Sequence, residues 1–208
     1  MLELDHVTIS VAGRTLIRDL SAMLEPGRVL GVMGASGSGK SSLLAWIAGT
    51  LEPPFVARGS LRLNGRDLAA LPIQQRRIGL LFQDDLLFPH MSVQDNLLFA
   101  VPRGTRAMRL QAAQQALEET GLRGYGPRMP ASLSGGQRSR VSLVRALLAE
   151  PAALLLDEPF SKLDVALREQ VREFTFATLA ARRVPALIVT HDPADVPAGA
   201  QRIRLDDS

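Results

Sequence analysis

The 208-residue chain has no cysteine, which excludes disulfides, thiolate-held metals and cysteine nucleophiles. Histidine is almost as scarce. His6, His90 and His191 stand far apart in the chain, too few and too scattered for a dedicated imidazole cage, so any metal is expected to be held by oxygen. Lysine is also rare: of 24 basic side chains only Lys40 and Lys162 are lysine. Long apolar runs are missing, because the longest uncharged stretches, Val29 to Gly39 and Ser41 to Leu51, have 11 residues each. A spanning helix needs roughly 18 to 20. The first residues, Met1-Leu2-Glu3-Leu4-Asp5, carry acids where a secretory signal carries a basic stretch, so a cytoplasmic location is expected. The net charge of +3 is small and dispersed, and no nucleic-acid partner is expected from it.

What is present describes a folded globular chain. With 46% hydrophobic and 22% charged residues, it can bury a core for one large domain, or one with a subdomain. Leu2-Glu3-Leu4 and Val7-Thr8-Ile9 read as strands, Ala12-Gly13-Arg14 and Pro26-Gly27 as turns, and Val29 to Met33 as a short buried strand. A helix is expected over Ser41 to Ala48, and β-structure at Gly59 to Leu63 and Ile78 to Phe82. From 84 to 150 the pattern is mostly helical, with Ser92 capping Val93 to Ala100, a helix over Thr105 to Thr120, and another over Arg138 to Ala149. A strand at Ala152 to Asp157, a helix over Val165 to Arg182 and a strand at Ala186 to Thr190 follow. This order predicts an α/β fold with a mainly parallel sheet and a helical insertion. The expected division is 1–83 with 151–208 as core, and 84–150 as a helical subdomain.

Gly34-Ala35-Ser36-Gly37-Ser38-Gly39-Lys40-Ser41 fits the eight-position phosphate-loop pattern between a buried strand and a helix. Its glycines let backbone N–H groups face phosphate oxygens, the helix directs its positive end there, Lys40 supplies an ammonium, and Ser41 can reach Mg²⁺. Ser42 follows in the same turn. Ala153-Leu154-Leu155-Leu156-Asp157-Glu158 is an apolar strand ending in two carboxylates, at the end of a parallel strand where ligands bind. Asp157 suits Mg²⁺, and Glu158 can accept a proton from the attacking water. These motifs alone permit many nucleotide enzymes. A third, Leu133-Ser134-Gly135-Gly136-Gln137, has the physics of a second anion site before a helix. One nucleotide does not need two such sites, so two chains facing head to tail would complete each other.

With these pieces in order, the chain closely resembles the ATP-binding cassette ATPases, whose fold is a P-loop NTPase core with an N-terminal antiparallel β-subdomain and an inserted α-helical subdomain. LSGGQ at 133–137 is the family's signature motif. Gln83 falls at the Q-loop, Pro159 to Asp164 at the D-loop and His191 at the switch histidine. The resemblance implies that Gln83 contacts Mg²⁺ or water, that His191 contacts the γ-phosphate, that Ser134, Gly136 and Gln137 act on the partner's ATP, and that Asp164 lies across the dimer seam. Two departures stand out. The family's base-stacking aromatic near position 11 is Val11 here, so stacking should be weaker or come from elsewhere, with loose base selectivity or lower affinity expected. Lys162 occupies a D-loop position that is usually small, and reads as a solvated charge rather than a cross-dimer contact.

Leu87-Phe88-Pro89-His90-Met91-Ser92-Val93-Gln94-Asp95-Asn96 resembles the segment after the Q-loop in bacterial importer ATPases such as those for thiamine, iron, sulfate or polyamines. Exposed Leu87, Phe88, Met91 and Val93 would make an apolar patch for a helix of a separate permease. The resemblance implies ATP and Mg²⁺ as cofactors, a second copy and a permease as partners, a separate solute-binding protein, and a peripheral place on the cytoplasmic face of a bacterial inner membrane. Few residues follow His191, so the C-terminal regulatory domain common in that group is not expected. The alternatives are a non-transport cassette acting on a soluble partner or nucleic acid, and a phosphotransferase using the same loop, which gives LSGGQ no purpose.

Overall fold

The computed structural model describes residues 1–161 and 163–205; the expectation for Lys162 falls outside them. Two sheets build the core. The first is antiparallel in the order β2-β1-β4-β5, from β1 (Leu2–Val11), β2 (Arg14–Leu24), β4 (Phe55–Leu63) and β5 (Arg66–Asp67). The second is parallel in the order β6-β7-β8-β3-β9, from β3 (Val29–Gly34), β6 (Ile78–Leu81), β7 (Ala153–Asp157), β8 (Ala186–Thr190) and β9 (Gln201–Leu205). Strands β3, β7 and β8 are almost entirely buried, which is why they read as continuous apolar runs.

Helix α1 (Lys40–Ala48) packs between the sheets, and its Leu43, Leu44 and Ile47 belong to the same cluster as Val7, Ile9 and Leu30. Short α2 (Ile73–Arg76) leads into β6. Helices α3 (Val93–Ala100), α4 (Arg106–Glu119) and α5 (Gly135–Leu148) bury a separate cluster that includes Val93, Leu97, Leu117 and Val141. Helix α6 (Val165–Ala181) covers the parallel sheet through Val171 and Leu179.

The sequence and the structure differ at several places, β5 and α2 among them, and three of these bear on the site or the sheets. Strand β4 starts at Phe55, four residues ahead of the expected Gly59. Gly59 is not a strand end: it stands at φ +119° beside an irregularity where the pairing with β1 shifts between Asp5 and Thr8. A Cβ there would lie 2.8 Å from Val7 Cα, so the glycine permits close backbone approach. Helix α5 starts at Gly135, three residues early, because Ser134 and Gln137 form a capping box. Strand β9 had no counterpart in the sequence reading.

Candidate functional site

The phosphate loop leaves β3 and enters α1. Gly37 and Gly39 take φ of +83° and +93°, a left-handed backbone that a Cβ would disfavour, so the turn that aims the loop amides inward depends on glycine at both. The first turn of α1 adds its N–H groups and positive dipole end. Lys40 is buried, and its Nζ donates to Gly34 O at 2.8 Å and Ala35 O at 2.6 Å. Ser38 Oγ is buried with no hydrogen-bond partner among the described residues. The loop therefore gathers an ammonium and a hydroxyl with no partner among the described residues beside a helix start.

A cavity of about 600 Å³ opens over this loop. It brings together most of the residues expected from the sequence: Val11, Gly34, Ala35, Ser36, Gly37, Gly39, Lys40, Ser41, Ser42, Asp157, Glu158 and His191. Asp157 ends β7, and burial chiefly, then Glu158, hold its carboxyl above the usual range, with Lys40 opposing. Glu158 has φ +43°, a left-handed conformation costly for a side chain of this kind. Its neighbours enforce it: Glu158 N donates to Val189 O at 2.9 Å, and Ser161 Oγ donates to Glu158 O at 2.9 Å. His191 Nδ1 lies 3.2 Å from Glu158 Oε1, so the acid and the imidazole form a pair facing the phosphate loop.

The donor chemistry suits a divalent ion carried by phosphate. Ser41 and Asp157 bring a hydroxyl and a carboxylate to one cavity, hard oxygen ligands that leave most of an octahedron to phosphate and water. Among the described residues no group of three or more His, Cys, Asp or Glu could cage a metal.

Other expected residues lie elsewhere. Gln83 does not line the cavity; its Nε2 donates to Ser161 Oγ at 3.1 Å. Ser134 and Gln137 cap α5: Gln137 N donates to Ser134 Oγ at 3.3 Å, and Ser134 N to Gln137 Oε1 at 3.0 Å. Gly136 is buried against α6, where a Cβ would meet Leu167 Cδ2 at 2.2 Å. Asp164 is exposed and caps α6, accepting from Leu167 N at 3.0 Å. The signature loop thus belongs to a surface apart from its own chain's phosphate loop.

The apolar patch needs correcting. Val93 is wholly buried, and Leu87, Phe88 and Met91 are half-buried. Val93 is the first residue of α3 and turns into the helical cluster. The exposed apolar side chains nearby are Phe82, Leu86 and Phe99. The sequence reading also passed over Arg14, Leu16 and Phe55, which line the cavity with the phosphate loop. A hint existed in the double proline Pro53-Pro54 followed by an aromatic, the pattern of a turn feeding a strand.

Comparison with known proteins agrees with this geometry. The ABC transporter family model matches residues 17–161. The uncharacterized ABC transporter ATP-binding protein YnjD of Escherichia coli is 47% identical over 95% of this chain and 92% of its own length. The thiamine import ATP-binding protein ThiQ of Cereibacter sphaeroides is 42% identical over 99% of this chain and 87% of its own. The chain spans only 59% of a third relative, the Fe(3+) ions import ATP-binding protein FbpC 2 of Pectobacterium atrosepticum, at 39% identity. Among solved structures, the ATP-binding cassette MJ0796 in a dimeric post-hydrolysis state with ADP and Pi superposes with a TM-score of 0.79, at 26% identity over 98% of this chain and 94% of that one. No helix among the described residues is long and apolar enough to cross a membrane. With a family model covering more than half of its length and relatives above 40% identity along nearly all of it, the chain belongs to the ABC transporter ATP-binding family.

Proposed function

We propose that this ATPase works as a pair of copies closing head to tail over two ATP molecules, and that closure drives solute import through a separate permease. The observation that carries the reading is the division of parts. Lys40, Ser41, Asp157, Glu158 and His191 share one cavity, while Ser134, Gly136 and Gln137 sit at the N-terminus of α5 outside it. A second copy brings its own Ser134 to Gln137 onto the exposed side of the phosphate site, with Asp164 at the seam.

Each residue has a task in this scheme. The loop from Gly34 to Ser41 holds the β- and γ-phosphates through its amides and Lys40, as Ser38 and Ser42 flank the turn. Ser41 and Asp157 would hold Mg²⁺, joined by Gln83 once it leaves Ser161; the ion neutralises charge on the phosphate oxygens. Glu158 takes the proton of the attacking water, and His191, held against Glu158, faces the γ-phosphate. The helical part, 84–150, moves as a body against 1–83 and 151–208, and the permease docks beside Leu87 to Val93, through the exposed Phe82, Leu86 and Phe99. Import is supported by the thiamine and iron relatives. The scheme places the chain on the cytoplasmic face of a bacterial inner membrane, served by a solute-binding protein and with no nucleic acid involved.

Glu158→Gln tests the reading. The amide keeps the shape beside His191 and cannot accept the proton, so phosphate release should fall by about 100-fold or more while ATP binding persists and a dimer accumulates in size-exclusion chromatography. Turnover at the wild-type rate would remove Glu158 from the role of base.

A further inference from the structure

A nucleotide anchored by its phosphates on the loop amides has to lay its base elsewhere in the same cavity, and the remaining lining is a strip across the antiparallel sheet. Val11 pairs with Arg14 on one side and with Phe55 on the other. Directly opposed residues of antiparallel strands present their side chains on one face, with Cβ atoms roughly 5 Å apart. Arg14, Val11 and Phe55 therefore form a continuous row, and all three line the cavity. Leu16, two residues beyond Arg14 on the same strand, fixes this row against the loop: a Cβ on Gly39 would stand 3.0 Å from Leu16 Cβ.

Among the described residues, Phe55 carries the only phenyl or indole ring in that lining. It is half-buried, with its backbone N–H donating to Glu52 O at 3.2 Å. Its position follows from the early start of β4, since a strand beginning at Gly59 would leave Val11 without a neighbour on that side.

We propose that Phe55, with Val11 and Arg14 in its cross-strand row, is the platform for the nucleobase and sets how tightly this chain holds the base of ATP. The inference rests on nucleotide binding at the phosphate loop. A phenyl face stacks on any base, because every base has a π-face, whereas Val11 alone offers aliphatic contact. The planar guanidinium of Arg14 can stack beside it. Stacking does not read exocyclic groups, so loose base selectivity follows from this platform, while the low affinity expected from Val11 does not.

Isothermal titration of the full chain with ATP, GTP and tripolyphosphate tests the assignment. Tripolyphosphate carries the phosphates without a base, so its binding to the wild type checks the phosphate-loop reading separately. Phe55→Leu keeps apolar volume and removes the ring; ATP and GTP should both weaken about tenfold or more, with tripolyphosphate unchanged. Phe55→Tyr keeps the ring and should retain ATP binding within about threefold of wild type. Wild-type ATP affinity in Phe55→Leu would overturn the proposal. An equal loss for ATP and tripolyphosphate would also overturn it, by making Phe55 a support of the loop rather than a platform for the base.

Discussion

Arg76 is the least expected buried charge in the molecule, and replacing it with Met should be costly. Its side chain is 8% exposed. Burial pulls the guanidinium pKa down, with Asp67 opposing, yet an arginine stays charged in proteins. The fork is spent on carbonyls: Nη1 donates to Trp46 O and Ile47 O at 3.0 Å each, Nε to Leu71 O at 3.1 Å, and Nη2 to Ala69 O at 3.4 Å. Trp46 and Ile47 lie in the last turn of α1, where carbonyls run short of intrahelical donors; Gly49 N reaches Trp46 O at 3.1 Å, and Arg76 adds the remaining donors at the far end of the helix that begins at the phosphate loop. Three bonds of 3.1 Å or shorter, at about 1.5 kcal/mol each for a charged donor, total about 4.5 kcal/mol. The apolar packing of Met returns about 1.5 kcal/mol. The net loss is about 3 kcal/mol, which lowers the melting midpoint by about 6 to 12 °C for a chain of this length. Circular dichroism melts of Arg76→Met and Arg76→Lys measure it. Lysine, a single ammonium, reaches fewer carbonyls and should fall between. A Met variant within about 2 °C of wild type would refute the capping argument, and a Lys variant equal to wild type would refute the part assigned to the fork.

Gly136→Ala drives a Cβ to 2.2 Å from Leu167 Cδ2 and should cost about 1 to 3 kcal/mol in urea unfolding. Gly135→Ala, whose nearest neighbour would be Arg138 Nη2 at 3.9 Å, should stay within about 0.5 kcal/mol of wild type, because alanine is the better helix former and meets no clash; a Gly136→Ala variant as stable as Gly135→Ala would refute the α6 contact. Lys40→Ala removes the ammonium held by Gly34 O and Ala35 O and should weaken ATP about 10-fold to 100-fold by titration, unchanged affinity being the refuting result. Asp195 is held above its ordinary 3.8, chiefly by burial, against Thr190 and Arg172. Its raised folded value means that the native state binds the extra proton, so the wild type loses stability relative to Asp195→Asn as pH rises from about 3.8 through that value. Parallel stability curves for the two proteins across that window would contradict the sign.

The chemistry of the site was legible because its residues are local in sequence. A strand, a glycine turn and a helix must be contiguous to cradle phosphate, so Gly34 to Ser41 could be read directly, and Asp157 and Glu158 announced themselves at the end of an apolar run. What escaped were pairings between distant segments. Phe55 enters the cavity through its register with Val11, 44 positions away (55 − 11), and neither residue carries that register in its neighbourhood. Nothing in the sequence set Arg76 apart from the other arginines, because burial by carbonyls leaves no mark in composition. Strand β9 was missed for another reason: Gln201, Arg202 and Arg204 are exposed and only Leu205 is buried, and an edge strand of this kind shows too little alternation to separate it from a tail. At 135 and 136 the glycines suggested a loop, but the reciprocal Ser134 and Gln137 bonds override propensity and start the helix there.

The hydrogen bonds around Gln83 are unevenly shared between its two sides. On one side Gln83 is tied to the D-loop by a single exposed bond to Ser161, worth about 1 kcal/mol at most in water. On the other, the chain just beyond it is fastened to α5 many times over. Ser139 Oγ donates to Asp85 Oδ1 at 2.8 Å, Ser142 Oγ to Asp85 O at 2.7 Å, Arg145 Nη1 to Leu86 O at 2.9 Å, and Arg138 pairs with Asp85 at 3.4 Å. Arg138 also donates to Leu133 O at 2.7 Å, so the same cluster reaches the signature loop. A pull on Gln83 would therefore break the Ser161 bond before the several bonds to α5. The D-loop keeps a separate clasp, since Arg168 donates to Ser161 O, Leu163 O and Asp192, binding it to the segment after His191. The weak link lies between two strongly held bodies, the arrangement that the proposed closure of two copies needs if occupancy of one phosphate loop is to reach the Ser134 to Gln137 surface.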